Sequence, residues 1–251
     1  MIDWLRRPPW GPPKKPPAQP APRLLQVGAR ELPLVIRRLR AAKRMTLRLA
    51  PDGSEVRISI PTWGRVGDAE AFARDRAPWL ARHLAALPEP ARLEPGGEVP
   101  FRGEMLELAW HETAPRRPVA GNGQVRVGGP RDGVPARLRK WLEREALDLI
   151  AQDLAHYCAR AGQPVPALGL SRAQRRWGSC AASGTIRINW RLVMAPDFVR
   201  RSVVAHEVAH LAHFDHSPAF HAALAGIYDG PLDEANRWLK VHGRGLYRLF
   251  G

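Results

Sequence analysis

Residues 196–216 read Pro-Asp-Phe-Val-Arg-Arg-Ser-Val-Val-Ala-His-Glu-Val-Ala-His-Leu-Ala-His-Phe-Asp-His. Pro196 and Asp197 open a helix, with a carboxylate in the first turn where the helix dipole favours it. Val199, Val203, Val208 and Leu211 give that helix an apolar body. His206 and His210 are four positions apart and share one helical face, so both imidazoles can reach one metal ion. Glu207 stands beside them, placed to take a proton from a water held by that ion. His216 follows a short turn that can return the chain under the metal as a third ligand. Three protein ligands leave a fourth position open, which is the catalytic arrangement of zinc and not the closed structural one. A histidine on an apolar helix is ordinarily a packed core residue. Here His206, His210, His213, His216 and His221 gather more than half of the chain's 9 histidines. His213 reads as an exposed neighbour, not a ligand.

Just before this helix come Arg175-Arg176-Trp177-Gly178-Ser179-Cys180, then Ala181-Ala182-Ser183-Gly184, then an alternating run with Ile186, Ile188, Trp190 and Leu192 on one face. That pattern predicts a β-hairpin leading directly into the helix. The edge of the Ile186-to-Leu192 hairpin is expected to hold an extended peptide by strand addition. A helical period runs from Pro135 to Ala161, stopped by Gly162 and Pro164. A last helix, Leu232 to His242, is expected to pack over the histidines. From Leu32 to Val127 the chain reads mostly as strands: Leu34–Ile36, Met45–Leu49, Val56–Ile60, a hairpin Val99–Phe101 against Met105–Trp110, and Val125–Val127. One helix interrupts them, from Asp68 to near Leu87. The fold class is therefore α+β, a β-rich N-terminal part followed by a helical C-terminal part. The expected organisation is a Pro-rich basic tail over residues 1–23, disordered or locally polyproline II, a β-rich part over 24–130 and the histidine-bearing domain over 131–251.

With 251 residues the chain can bury a substantial core. Its 2 cysteines, Cys158 and Cys180, form no disulfide framework or C-x-x-C pair, which suits a reducing cytosol. Prolines and Arg6, Arg7, Lys14 and Lys15 break the N-terminus where a signal peptide would be apolar. No run is long and apolar enough to predict a membrane span, so a soluble cytoplasmic protein with no membrane partner is expected. The net charge of +15 favours polyanions such as nucleic acid or nucleotides, although the mostly arginine cations are spread along the chain.

The R-R-W-G-S-C block at 175–180, I-x-I-N-W-R-L at 186–192, H-E-V-A-H-L at 206–211 and D-H-S-P-A-F at 215–220 together resemble the YgjP-like metallopeptidase family, which is related to the SprT-like and other small zincins. The resemblance covers roughly residues 33 to 245. It implies a zincin-like C-terminal part with His206, His210 and His216 on the metal, Glu207 as the catalytic acid and base, and Trp177 to Cys180 as a signature hairpin. Asp215, His221 and Val208 stand where the family more often has Asn, Trp and Leu.

The reaction these residues suit is zinc-dependent hydrolysis of a peptide or protein substrate, with Glu207 passing the proton on to the leaving amine. An oxyanion stabiliser is also needed, for which Arg176, His221 and Tyr228 are the candidates by type. Two alternatives stay open. One is a metal-dependent nucleotide pyrophosphatase, with phosphates held by Arg172, Arg175, Arg176, Arg187 and Arg191. The other is a basic nucleic-acid-associated binding protein. A nucleophilic role for Cys180 lacks a base placed by any recognised motif, so packing is the reading taken.

Overall fold

The structure is a computed structural model that describes residues 23–50, 52–85 and 93–250. The Pro-rich tail falls outside the described residues. The fold is mixed α+β, with two of the three sheets of the described residues in the N-terminal half and most helices in the C-terminal half. Contacts gather the chain into two compact units. Of the described residues, one unit holds those up to Arg48 together with Glu55–Pro78, and the other holds those of Leu49–Ser54 and those from Trp79 onward. The sheet formed by residues 98–127 therefore belongs with the helical part.

In the first unit, β1 (Leu24–Val27), β2 (Arg30–Arg38), β3 (Thr46–Leu49) and β4 (Val56–Ile60) form a sheet in the order β1-β2-β4-β3. β1 and β2 are an antiparallel pair, whereas β2 and β4 run parallel. Alternation decides the inner face: Leu32 and Leu34 of β2 and Val56, Ile58 and Ile60 of β4 are buried. The single helix expected over 68–87 is two, α1 (Val66–Asp75) in this unit and α2 (Ala77–Ala85), which from Trp79 belongs to the second unit. Pro78 explains the break, because it lacks an N–H and restrains the residue before it.

In the second unit, β5 (Glu98–Phe101), β6 (Glu104–Trp110), β7 (Val119–Gly121) and β8 (Gln124–Val127) form a sheet in the order β5-β6-β8-β7. The expected hairpin between β5 and β6 is present, turned by Arg102 and Gly103 with φ of 53° and 86°. Its tip is locked to the chain ahead of the histidine helix, since Arg102 N–H donates to the Val193 carbonyl at 2.8 Å. A Cβ on Gly103 would lie 2.9 Å from Pro196 Cα, so only glycine allows this approach. The spine of the unit is α3 (Val134–Arg160), whose Leu138, Leu142, Ile150 and Leu154 are buried.

A three-stranded sheet carries the signature hairpin: β9 (Leu168–Ser171), β10 (Gly178–Cys180) and β11 (Ile186–Asn189), in the order β10-β11-β9. The strand starting at Ile186 is central, paired with β10 on one side and parallel β9 on the other, so the outer strand of the hairpin is β10. It ends at Asn189, and a 3-10 turn over Trp190–Met194 separates it from the next helix, which corrects the expectation that the hairpin leads directly into that helix. Then come α4 (Asp197–Ala209), α5 (Pro218–Ile227) and α6 (Leu232–His242). No helix among the described residues is long and apolar enough to cross a membrane.

Candidate metal centre

Helix α4 is buried along most of its length, including Val199, Val203, Val204, Ala205 and Val208. Its start is fixed by charge: the buried Arg200 guanidinium donates to Asp153 at 2.7 Å and to Asp197 at 2.5 Å. At its other end, His206 and the capping residue His210 project from one face. His216 arrives from the turn before α5, where Ser217 caps the helix by accepting from the Phe220 N–H and Pro218 opens the first turn. The Asp215 carboxylate is engaged by Ser217.

The three imidazoles converge. His206 Nε2 lies 3.1 Å from His210 Nε2 and 3.3 Å from His216 Nε2, and one ligand nitrogen from each lies within 4.8 Å of the others. Tetrahedral coordination at zinc–nitrogen distances near 2.0–2.1 Å puts neighbouring nitrogens about 3.3 Å apart, so the two separations from His206 fit such an ion. Burial, reinforced by His210, His216 and His221, pushes His206 down to about 4, which keeps it neutral and able to donate a lone pair. His210 Nδ1 is 2.9 Å from the His213 carbonyl. Donation there directs the Nε2 lone pair at the shared point. His213 thus contributes through its backbone. Among the described residues, these histidines are the cluster able to hold a metal ion.

Phe220 is the plug around which the imidazoles are arranged. It is fully buried, its ring 4.5 Å from His210 in a stacked pose and 4.9 Å from both His206 and His216. The signal for this residue was only its place in the D-H-S-P-A-F block.

Glu207 is 6% exposed and lies under β10. Loss of water raises its carboxyl to about 7, against the opposing pull of Arg176 and of the Cys180 N–H that donates to it. Gly178 gives the carboxylate its space: a Cβ there would be 2.3 Å from Glu207 Oε1. The W-G-S-C block therefore supplies a glycine and a backbone donor to the glutamate. Trp177 packs beneath it on Tyr247, with ring centroids 5.8 Å apart. Burial and the Glu207 charge raise the Cys180 thiol, which disfavours a nucleophilic thiolate.

A cleft of about 380 Å³ opens beside Glu207 and His206, with Val203, Leu224 and Leu232 among its apolar walls. Arg176, His221 and Asn236 also line it and are exposed. The expectation that the last helix packs by the site holds, since Leu232 and Asn236 belong to α6. Two of the three oxyanion candidates, Arg176 and His221, are thus beside Glu207. Tyr228 is not among the cleft residues: it is 8% exposed and its hydroxyl donates to the Phe198 carbonyl at 2.9 Å. Two of the arginines suggested for phosphate are engaged elsewhere. Arg191 is 3% exposed and its guanidinium donates to the Phe250 carbonyl, while Arg172 pairs with Glu143.

A family model described as YgjP-like, metallopeptidase domain, matches residues 43–242. No curated protein and no solved structure matches the chain. Metallopeptidases are hydrolases with a metal cofactor and protein or peptide substrates, and the histidine cluster is compatible with such a cofactor. With the match extending over most of its length, the chain belongs to the YgjP-like metallopeptidase family.

Proposed function

We propose that the protein is a zinc-dependent peptidase in which His206, His210 and His216 hold the ion and Glu207 moves the proton. The observation that carries this reading is the convergence of three imidazoles, with His206 Nε2 at 3.1 and 3.3 Å from those of its two neighbours, beside a buried carboxylate. Three imidazoles suit zinc among the divalent ions. When bound, the ion supplies Lewis acidity and brings a water toward a pKa of about 7.

The rest of the chemistry belongs to the chain. Glu207 accepts a proton as the scissile carbonyl is attacked and returns it to the departing amine. The Cys180 N–H holds one end of the carboxylate in place through the transfer. Arg176 and His221, on the cleft wall, are placed to donate to the developing oxyanion. The outer edge of β10 receives the substrate backbone, and the apolar cleft walls exclude water from the flanking side chain. Two free cysteines suit the reducing cytoplasm as the site of action.

The test is metal content by elemental analysis, together with hydrolysis of an unfolded protein and of nucleoside triphosphates measured side by side. The expected result is about one zinc per chain and peptide hydrolysis. Glu207→Gln is expected to keep the metal and lose roughly 10²–10⁴-fold in turnover. Full turnover in that variant, or activity on the triphosphates alone, would overturn the reading.

A further inference from the structure

At one end of the first unit's sheet the chain assembles cations around an exposed indole. β2 and β4 run parallel, so the segments leaving their C-terminal ends emerge together. β3 neighbours β4 in the sheet and is joined to it by a short connection, which requires an antiparallel hairpin. Residues 39–45, linking β2 to β3, therefore cross the end of β4 where residues 61–65 emerge. Two hydrogen bonds tie these segments: Leu39 N–H donates to the Ile60 carbonyl at 2.9 Å, and the Arg38 guanidinium donates to the Gly64 carbonyl at 2.9 Å.

Trp63 stands at the tip of a turn closed by Gly64 N–H donating to the Pro61 carbonyl at 3.0 Å. Its side chain is 76% exposed, and Leu39 across the tie is 46% exposed. Arg38, Arg40, Lys43, Arg44 and Arg65, on the same two segments or at their edge, are exposed. No Asp or Glu occurs between Glu31 and Asp52, or between Glu55 and Asp68. The ion pairs found among the unit's described residues, Arg23–Glu70 and Arg57–Glu55, involve none of these five. In the other unit, by contrast, Arg102, Arg139, Arg172, Arg200 and Arg201 are all neutralised by carboxylates.

We propose that this end of the sheet binds a single strand of nucleic acid, with Trp63 stacking on a base and Arg38, Arg40, Lys43, Arg44 and Arg65 contacting phosphates. A single strand matches the chemistry on three counts. An unpaired base exposes the face that an outward indole needs, whereas a duplex hides it. Four of the five cations are arginines, whose planar fork matches phosphate oxygens. Two exposed apolar side chains are too few for a membrane-inserting surface. The site lies wholly in the first unit and does not depend on the metal.

The experiment is fluorescence anisotropy with a labelled oligo(dT) of about a dozen nucleotides. It compares the full chain with Trp63→Ala, Trp63→Phe and the Arg40→Gln/Arg44→Gln double variant across a salt series. A duplex of equal length and phosphatidylserine vesicles serve as comparators. The single strand is expected to bind more tightly than the duplex. Trp63→Ala weakens binding roughly tenfold and Trp63→Phe restores most of it. The double variant lowers the slope of log K against log salt by about 1.4. Unchanged affinity in Trp63→Ala together with an unchanged slope in the double variant would overturn the proposal, as would binding to the vesicles without binding to the oligonucleotide.

Discussion

Replacing Gly178 by alanine puts one methyl group where Glu207 already sits. The added carbon would lie 2.3 Å from Oε1, 2.6 Å from Cγ and 2.7 Å from Cδ of the glutamate. Non-bonded carbon contacts are relaxed near 3.5 Å, so the carboxylate or strand β10 has to give by about 1 Å. Glu207 cannot withdraw easily, because it is 6% exposed and held by the Cys180 N–H. A displacement of this size at a reacting group costs up to roughly 10²-fold in turnover. Overpacking adds about 1–3 kcal/mol of destabilisation, a lowering of Tm by several degrees. The nearest atoms to the added carbon all belong to Glu207 and not to the proposed ligand histidines, so metal content is expected to be unchanged. The assay is hydrolysis of an unfolded protein alongside zinc per chain and a melting curve. Turnover within twofold of the unmodified protein, with the metal bound, would refute the argument that β10 positions Glu207 through this glycine.

Other outcomes follow from the same geometry. His216→Ala removes the proposed ligand that comes from outside α4, and zinc per chain is expected to fall at least tenfold, which elemental analysis after dialysis reads directly. Arg200→Ala removes the buried partner of Asp153 and Asp197, which keep Arg201 and Arg102, so urea unfolding should show a loss of about 1.5–3 kcal/mol; a loss under 1 kcal/mol would mean the pair is solvated. Tyr228→Phe removes a hydroxyl spent on Phe198, costing about 1 kcal/mol of stability and leaving turnover unchanged. A large fall in turnover there would restore Tyr228 as an oxyanion donor. Phe220→Ala opens a cavity under three imidazoles and should cost about 3–5 kcal/mol while weakening metal retention in the same sample.

The histidine helix was legible because its evidence is local: spacing, an opening Pro-Asp and an apolar face all sit within a few turns of each other. The long helix α3 was legible for the same reason, with Gly162 marking its end. What escaped depended on contacts between distant segments. Alternation in residues 186–192 identifies a strand but not its neighbours, so its central position only appears once β9 is seen to pair with it. Nothing near β9 itself, Leu-Gly-Leu-Ser, distinguishes it from a loop. The jobs of Gly178 and Phe220 are defined by what lies across the fold, Glu207 and the imidazoles, and residue type alone does not announce either. Tyr228 shows the reverse: its type suited an oxyanion donor, and its packing assigned the hydroxyl elsewhere.

The outer strand β10 is only three residues long. Trp177 accepts from Asn189 N–H and Ala181 donates to the Thr185 carbonyl, so the alternation of an antiparallel ladder turns Gly178 and Cys180 away from β11. One of the groups so exposed, the Cys180 N–H, is committed to Glu207. A chain lying along this edge finds a rail shorter than a single residue pair on either side of the cut. It can be gripped by its main chain at hardly more than one amino acid, so sequence length contributes little to recognition. On the function proposed above, such an edge would select for the shape of one side chain and the looseness of the surrounding polypeptide, and a folded protein without a few slack residues would pass uncut.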